Sequence, residues 1–213
     1  FTHWGKQFWQ FAGGYLSPRR SIKPLLFFLL IVAMTLVSVR ISLVHSEWYN
    51  NMYTSLQEFN EPVFWDQMVL FCVIATSSVM TALLSYYLEQ RFSINWIEWL
   101  NGQLVDKWMN NRAYYKTQYV SSNLDNPDQR IQQDVQSYVR TTLSLSTGVI
   151  DAVTSMISYT ILLWGLAGPM MVFGAEIPRM MVFLVFAYVI ITTAIAFRLG
   201  RPLIMLNFVN ERL

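Results

Sequence analysis

FWDQMVLFCVIATSSVMTALLSYYLEQRFSINWIEWLNGQLVDKWMNNR, residues 64–112, changes character in its middle without breaking. From Phe64 to Leu88 it is apolar apart from a few polar residues, Asp66 and Gln67 near its start. That is enough to cross a bilayer, which takes about 20 mostly apolar residues. From there Leu88, Phe92, Trp96, Leu100, Leu104 and Trp108 recur every four residues, and Ile97, Val105 and Met109 thicken the stripe. This period is that of a helix with one apolar face. The Gly of Asn101-Gly102 weakens such a helix by about 1 kcal/mol, but no proline interrupts it. A single helix over 64–112 is about 70 Å long at 1.5 Å per residue. The hydrocarbon core accounts for only about 30 Å, so much of the helix must project from the membrane.

Residues 113–125, with Tyr114, Tyr115, Tyr119, Ser121 and Ser122, read as a short turn region. Asn126-Pro127-Asp128-Gln129 then gives a helix start. Asn126 can cap, Pro127 suits the first helical position, Asp128 faces the positive end of the helix dipole, and Gln129 completes a capping box. Ile131, Val135, Tyr138, Val139 and Thr142 continue one face into a further apolar run. The expectation is an antiparallel helical pair carrying a tip well away from the bilayer. A tip carried so far is expected to touch a partner; a hairpin packing only on itself is the plainer alternative.

Four runs qualify as spans, at about 24–44, 64–88, 143–166 and 180–199, with 89–142 as a stalk between the second and third. Composition agrees with a protein solvated by lipid: 54% of the 213 residues are hydrophobic and 13% charged, about half the charge of soluble domains. A net charge of +2 gives no footprint for nucleic acid. The connection His45 to Val63 holds Glu47, Glu58 and Glu61 and no Lys or Arg. Thirteen of the fifteen basic residues lie in the N-terminal segment, the stalk and the C-terminal segment. The positive-inside rule places those three segments, the N-terminus and 89–142 included, in the cytoplasm. A short connection with Gly168, Pro169, Gly174 and Pro178 joins the third and fourth spans. In residues 1–16, Phe1, Trp4, Phe8, Phe11, Ala12 and Tyr15 share a helical face, as expected of an amphipathic helix lying in the interface. Phe1 and the mid-pattern end at Leu213 read as those of a fragment, and no signal peptide is apparent.

Two charges fall inside the spans, Arg40 in the first and Asp151 in the third. Intramembrane charges are costly and by default point to a function, here a water-filled cavity or a proton relay. Snorkelling to the headgroups accounts for Arg40 without one. Trp48, Tyr49, Trp65, Tyr86, Tyr87 and Trp164 suit an aromatic belt. His3, His45 and the single Cys72 form no metal-binding spacing, and no base is set beside a nucleophile. None of the nine glycines opens a phosphate-binding Gly-x-x-x-x-Gly-Lys-Ser/Thr loop.

The string Asp125-Asn126-Pro127-Asp128-Gln129-Arg130-Ile131, with Asp134 and Thr142-Leu143-Ser144-Leu145-Ser146 after it, resembles the matching stretch of ABC transporters of the SbmA/BacA-like type. These serve vitamin B12, bleomycin and antimicrobial-peptide transport; the related peroxisomal fatty-acyl transporters carry a similar Asn-Pro-Asp-Gln string. The Glu47-Trp48-Tyr49-Asn50 patch is also similar in layout. The resemblance implies an all-α membrane protein with an ABC exporter-type transmembrane domain, this chain (17–213) holding four of six expected helices. It implies a homodimer in the bacterial inner membrane. It implies a fused C-terminal nucleotide-binding domain, absent here, that brings ATP and Mg2+. It makes Asn126, Pro127, Asp128, Gln129 and Arg130 a coupling region that docks on that domain. The implied substrate is large and amphipathic: a peptide, an antibiotic or a cobalamin-like molecule. Two rivals stay open. One is a proton-coupled SbmA/BacA-type peptide transporter without an ATPase, in which Asp151 matters most. The other is a non-transporting membrane scaffold that uses its stalk as a docking arm.

Overall fold

The computed structural model describes residues 13–16, 22–110, 127–172 and 175–210. It is helical almost throughout: α1 (Ile22–Gln57), α2 (Glu61–Met109), α3 (Pro127–Leu166) and α4 (Met180–Asn210), with strands β1 (Met170–Val172) and β2 (Ala175–Ile177) before α4. All four helices are long and apolar enough to cross a membrane. The chain divides into two compact units, Phe1–Ser155 and Met156–Leu213.

In the first unit α1 and α2 form an antiparallel hairpin with a tight turn, residues 58–60. The stretch 45–63, an acidic loop by its sequence, is mostly helix. The apolar run ends near Val44, but the next residues remain helix-compatible and carry local ties. Ser46 Oγ donates to the Ser42 carbonyl and Thr54 Oγ1 to that of Asn50, but such bonds do not lengthen a helix; α1 runs on for more than three turns with Trp48 packed on Phe71 and bonded to Gln67 of α2. It stops where Phe59 adopts a left-handed backbone, φ 54°. Such a conformation is uncommon for a bulky residue. There the Glu58 and Asn60 N–H groups close back on the Thr54 and Ser55 carbonyls, both at 2.9 Å. The Asn60 side chain then accepts from the Val63 N–H and caps α2, with Pro62 in its first turn.

The core of this unit lies outside the apolar runs as much as within them. Leu88, Phe92, Trp96 and Leu100 are buried along one line of α2, and Val135, Val139 and Leu143 along the facing line of α3. Ile31 of α1 joins them, with Phe27 and Phe28 packed at the edge. The stripe stepping by four is therefore the packed face. Leu104, its next member, packs at the edge of the core; of the residues that thicken the stripe, Ile97 packs against the core, whereas Val105 and Met109 are exposed. α2 stays helical through Asn101-Gly102 to Met109.

In the second unit the connection expected as a short loop is an antiparallel hairpin pairing Met170 with Ile177, Met171 with Glu176 and Val172 with Ala175. Arg179 takes a left-handed backbone, φ 59°, just before α4. Its guanidinium sits 4.6 Å from the centre of the Trp164 ring at the end of α3, a cation–π contact. Helix α4 continues past Leu199, the expected end of the apolar run, to Asn210 and through Pro202. Pro202 removes one helical N–H donor, that to the Arg198 carbonyl, without ending the helix.

Candidate functional site

The extension of α2 beyond Leu88 is held by an aromatic clamp. Residues 13–16 form a helical turn against it. The Tyr15 ring stacks on Trp96, centroids 5.6 Å apart and planes 4° apart, and meets Phe92 edge-on at 5.6 Å. Trp99 closes the third side at 5.3 Å. A Cβ added to Gly14 would come within 3.2 Å of the Trp99 ring, so the absence of a side chain lets the turn sit this close. Phe28 of α1 and Tyr138 of α3 complete the cluster, at 6.0 Å from Phe92 and 6.3 Å from Trp96. Burial pushes the Tyr15 phenol up from its ordinary pKa. The Trp96 Nε1–H is buried with no hydrogen-bond partner among the described residues. A buried donor left unpaired costs about 1–3 kcal/mol, so ring packing must outweigh it. Sequence periodicity located the α2 stripe but not this clamp. Tyr15 follows the expected 1–16 face, yet residues 1–12 lie outside the described residues.

Each pair in this clamp is expected to contribute beyond its buried area. A double-mutant cycle of Tyr15→Ala and Trp96→Ala is expected to show a coupling of about 0.5–1.5 kcal/mol in the stability of the solubilised protein. Strict additivity would show that the stack holds nothing.

The expected coupling region divides. Asn126 and the turn 113–125 lie outside the described residues. Pro127 opens α3, Asp128, Gln129 and Arg130 fall in its first turn, and Gln129 is exposed. Exposure at Gln129 fits a docking role and equally fits a solvated helix start.

Arg40 and Asp151 lie on different helices, α1 and α3, and both are exposed. Arg40 lines a groove of about 400 Å³ between α1 and α2, whose other walls include Val37, Val44, Val73 and Ile74. Nearer the turn, Trp48 Nε1 donates to the Gln67 carbonyl at 2.8 Å and locks the two helices in register. His45 stacks on Trp48 at 5.4 Å and Phe71 packs on it at 4.9 Å. Among the described residues no group of three His, Cys, Asp or Glu side chains is placed to hold a metal.

Comparison with known proteins agrees with this architecture. The family described as ABC transporter transmembrane region 2 matches residues 12–213. A Haemophilus influenzae protein named an uncharacterized ABC transporter ATP-binding protein is 85% identical over all of this chain and 36% of its own length. The Escherichia coli inner membrane ABC transporter ATP-binding protein YddA is 31% identical over 88% of this chain and 34% of its own length. The human lysosomal cobalamin transporter ABCD4 is 28% identical over 75% of this chain and 27% of its own length. The chain spans about a third of the length of the first two and less of the third.

Proposed function

The chain belongs to the ABC transporter transmembrane region 2 family, and from that premise we propose that it is the permease part of an ATP-driven transporter of the inner membrane. Within the family, the string from Asp125 to Ile131 favours a place beside the SbmA/BacA-like group. The substrate is a large amphipathic molecule, a peptide, an antibiotic or a cobalamin-like compound. One relative is named a cobalamin transporter. The transporter works as a homodimer. A nucleotide-binding domain in the same polypeptide supplies ATP hydrolysis with Mg2+, as the names and greater lengths of the relatives suggest. The N-terminus and residues 89–142 face the cytoplasm, in keeping with the concentration of Lys and Arg there.

The observation that carries this reading is the packed pair formed by the α2 extension and the start of α3. It ties the part of α2 beyond Leu88 to the part of α3 before Leu143 through one buried core. ATP binding draws the two subunits' stalks together, and the spans exchange one open state for another. The test is transport by the full-length protein in sealed liposomes, with labelled peptide and cobalamin as substrates. Accumulation that needs ATP, and is indifferent to an imposed pH gradient, is the expected result. Accumulation driven by the gradient alone would replace this reading with the proton-coupled one. Asp151 gives a second readout. Asp151→Asn is expected to leave the pH profile of transport unchanged under ATP drive, and a lost pH dependence would assign Asp151 to a proton relay.

A further inference from the structure

The groove between α1 and α2 combines two features that an apolar helix surface seldom brings together. Its walls are aliphatic, built from Leu36, Val37 and Val44 on one side and Val73 and Ile74 on the other. Set among them are one guanidinium, Arg40, and one hydroxyl, Ser77, with no carboxylate in the lining. Arg40 makes no ion pair among the described residues. It lies four residues before Val44, about 6 Å along the helix axis, and so within an arginine's reach of the bilayer surface on the side of the α1–α2 turn. A guanidinium in hydrocarbon demands an anionic or strongly accepting partner, and the groove lining supplies no anionic one.

We propose that this groove is a binding site for one anionic phospholipid, drawn from the leaflet on the side of the α1–α2 turn. Its phosphate rests on Arg40 and one acyl chain lies along the Val37–Val73 walls. The planar fork of Arg matches two phosphate oxygens, a geometry that Lys does not reproduce. A volume of about 400 Å³ falls within the range of ligand pockets, roughly 300–1,000 Å³. It suits a single chain rather than a whole bilayer patch. Arg40 is the one charge in the lining, so a lipid with an anionic head is expected to bind more tightly than a neutral hydrocarbon. The site is independent of the transport reading, because occupancy needs neither ATP nor substrate.

The test titrates delipidated full-length protein in detergent with fluorescent phosphatidylglycerol, and with phosphatidylcholine as the zwitterionic control. Native protein is expected to bind phosphatidylglycerol saturably and more tightly than the control. Arg40→Gln is expected to weaken that binding about tenfold, with Arg40→Lys intermediate, while the elution volume and helical content stay unchanged. Val73→Trp, which fills the groove and keeps the charge, is expected to abolish saturable binding. Equal affinity of native and Arg40→Gln protein overturns the proposal. So does absence of saturable binding to native protein, which would mean that other helices of the full-length chain cover the groove. A shift in dimerisation on Arg40→Gln without a change in lipid affinity also overturns it, and gives the groove to a second copy.

Discussion

Phe92→Ala is expected to destabilise the protein by about 3–5 kcal/mol. The ring is 1% exposed and sits where three parts of the first unit meet, against Tyr15 from the N-terminal turn, Phe28 from α1 and Trp96 on its own helix. Removing it deletes the transfer energy of a large aromatic and leaves a cavity that these neighbours cannot fill. Tyr15 is already pinned on two other rings, and Ile31 is held at 1% exposure. The substitution lies at the point where α2 leaves the apolar run, so the loss falls on the packing of the α2 extension against α3. Asn95→Ala, on the exposed face of the same helix, is expected to change stability by less than about 0.5 kcal/mol. Thermal unfolding of the two variants in one detergent makes the comparison. Similar midpoints would show that the buried line is not what holds the stalk.

The second large effect is expected from Asp128→Ala combined with Arg130→Ala in the full-length transporter. Both residues lie in the first turn of α3, far along the sequence from the apolar part of that helix. Asp128 favours the positive end of the helix dipole, so some loss of helix start is expected and must be separated from loss of docking. If the turn passes force between an ATPase and the spans, transport is expected to fall by about tenfold while ATP hydrolysis changes by less than about twofold. A coupling free energy of 1–3 kcal/mol is worth about 5- to 150-fold. The ratio of the two rates is the measurement. If transport and hydrolysis fall in proportion, the effect is one of folding; if neither changes, the turn has no part in coupling.

Much of this architecture is legible in the sequence because its controlling pattern is local. The four-residue recurrence from Leu88 to Leu100 needs nothing but helix geometry to be seen, and those are the residues that pack against Val135, Val139 and Leu143. Helix from Pro127 onward agrees in the same way with proline at a first helical position, while the expected cap, Asn126, lies outside the described residues. The features that escape depend on properties that hydropathy does not measure. An apolar count ends α1 near Val44, although the helix runs to Gln57, where Trp48 is held against Gln67 and Phe71 of α2. The pairing of Met170 with Ile177 is a tertiary choice between two three-residue strands, too short for any periodicity. The Arg40 groove exists because Trp48 fixes α1 against α2 in one register, and a register between helices is not written in either helix alone. Tyr15 shows both sides: its face is apparent from spacing, but its partners Trp96 and Trp99 lie some eighty residues away.

The unbroken helix from Glu61 to Met109 has a mechanical consequence. If residues 89–142 project from the bilayer as proposed, the part of α2 beyond Leu88 is an arm of about 32 Å at 1.5 Å per residue, and a tilt of about 10° at the bilayer surface swings its far end by about 5.6 Å, roughly one helical pitch. The arm is braced by the buried line of α3 and by the ring of Tyr15, so little of that swing is lost to bending. A rearrangement among the spans too small to be noticed at their centre would thus reach the far end amplified. The same leverage run backwards would turn a push of a few ångströms there into a few degrees of rotation in the membrane.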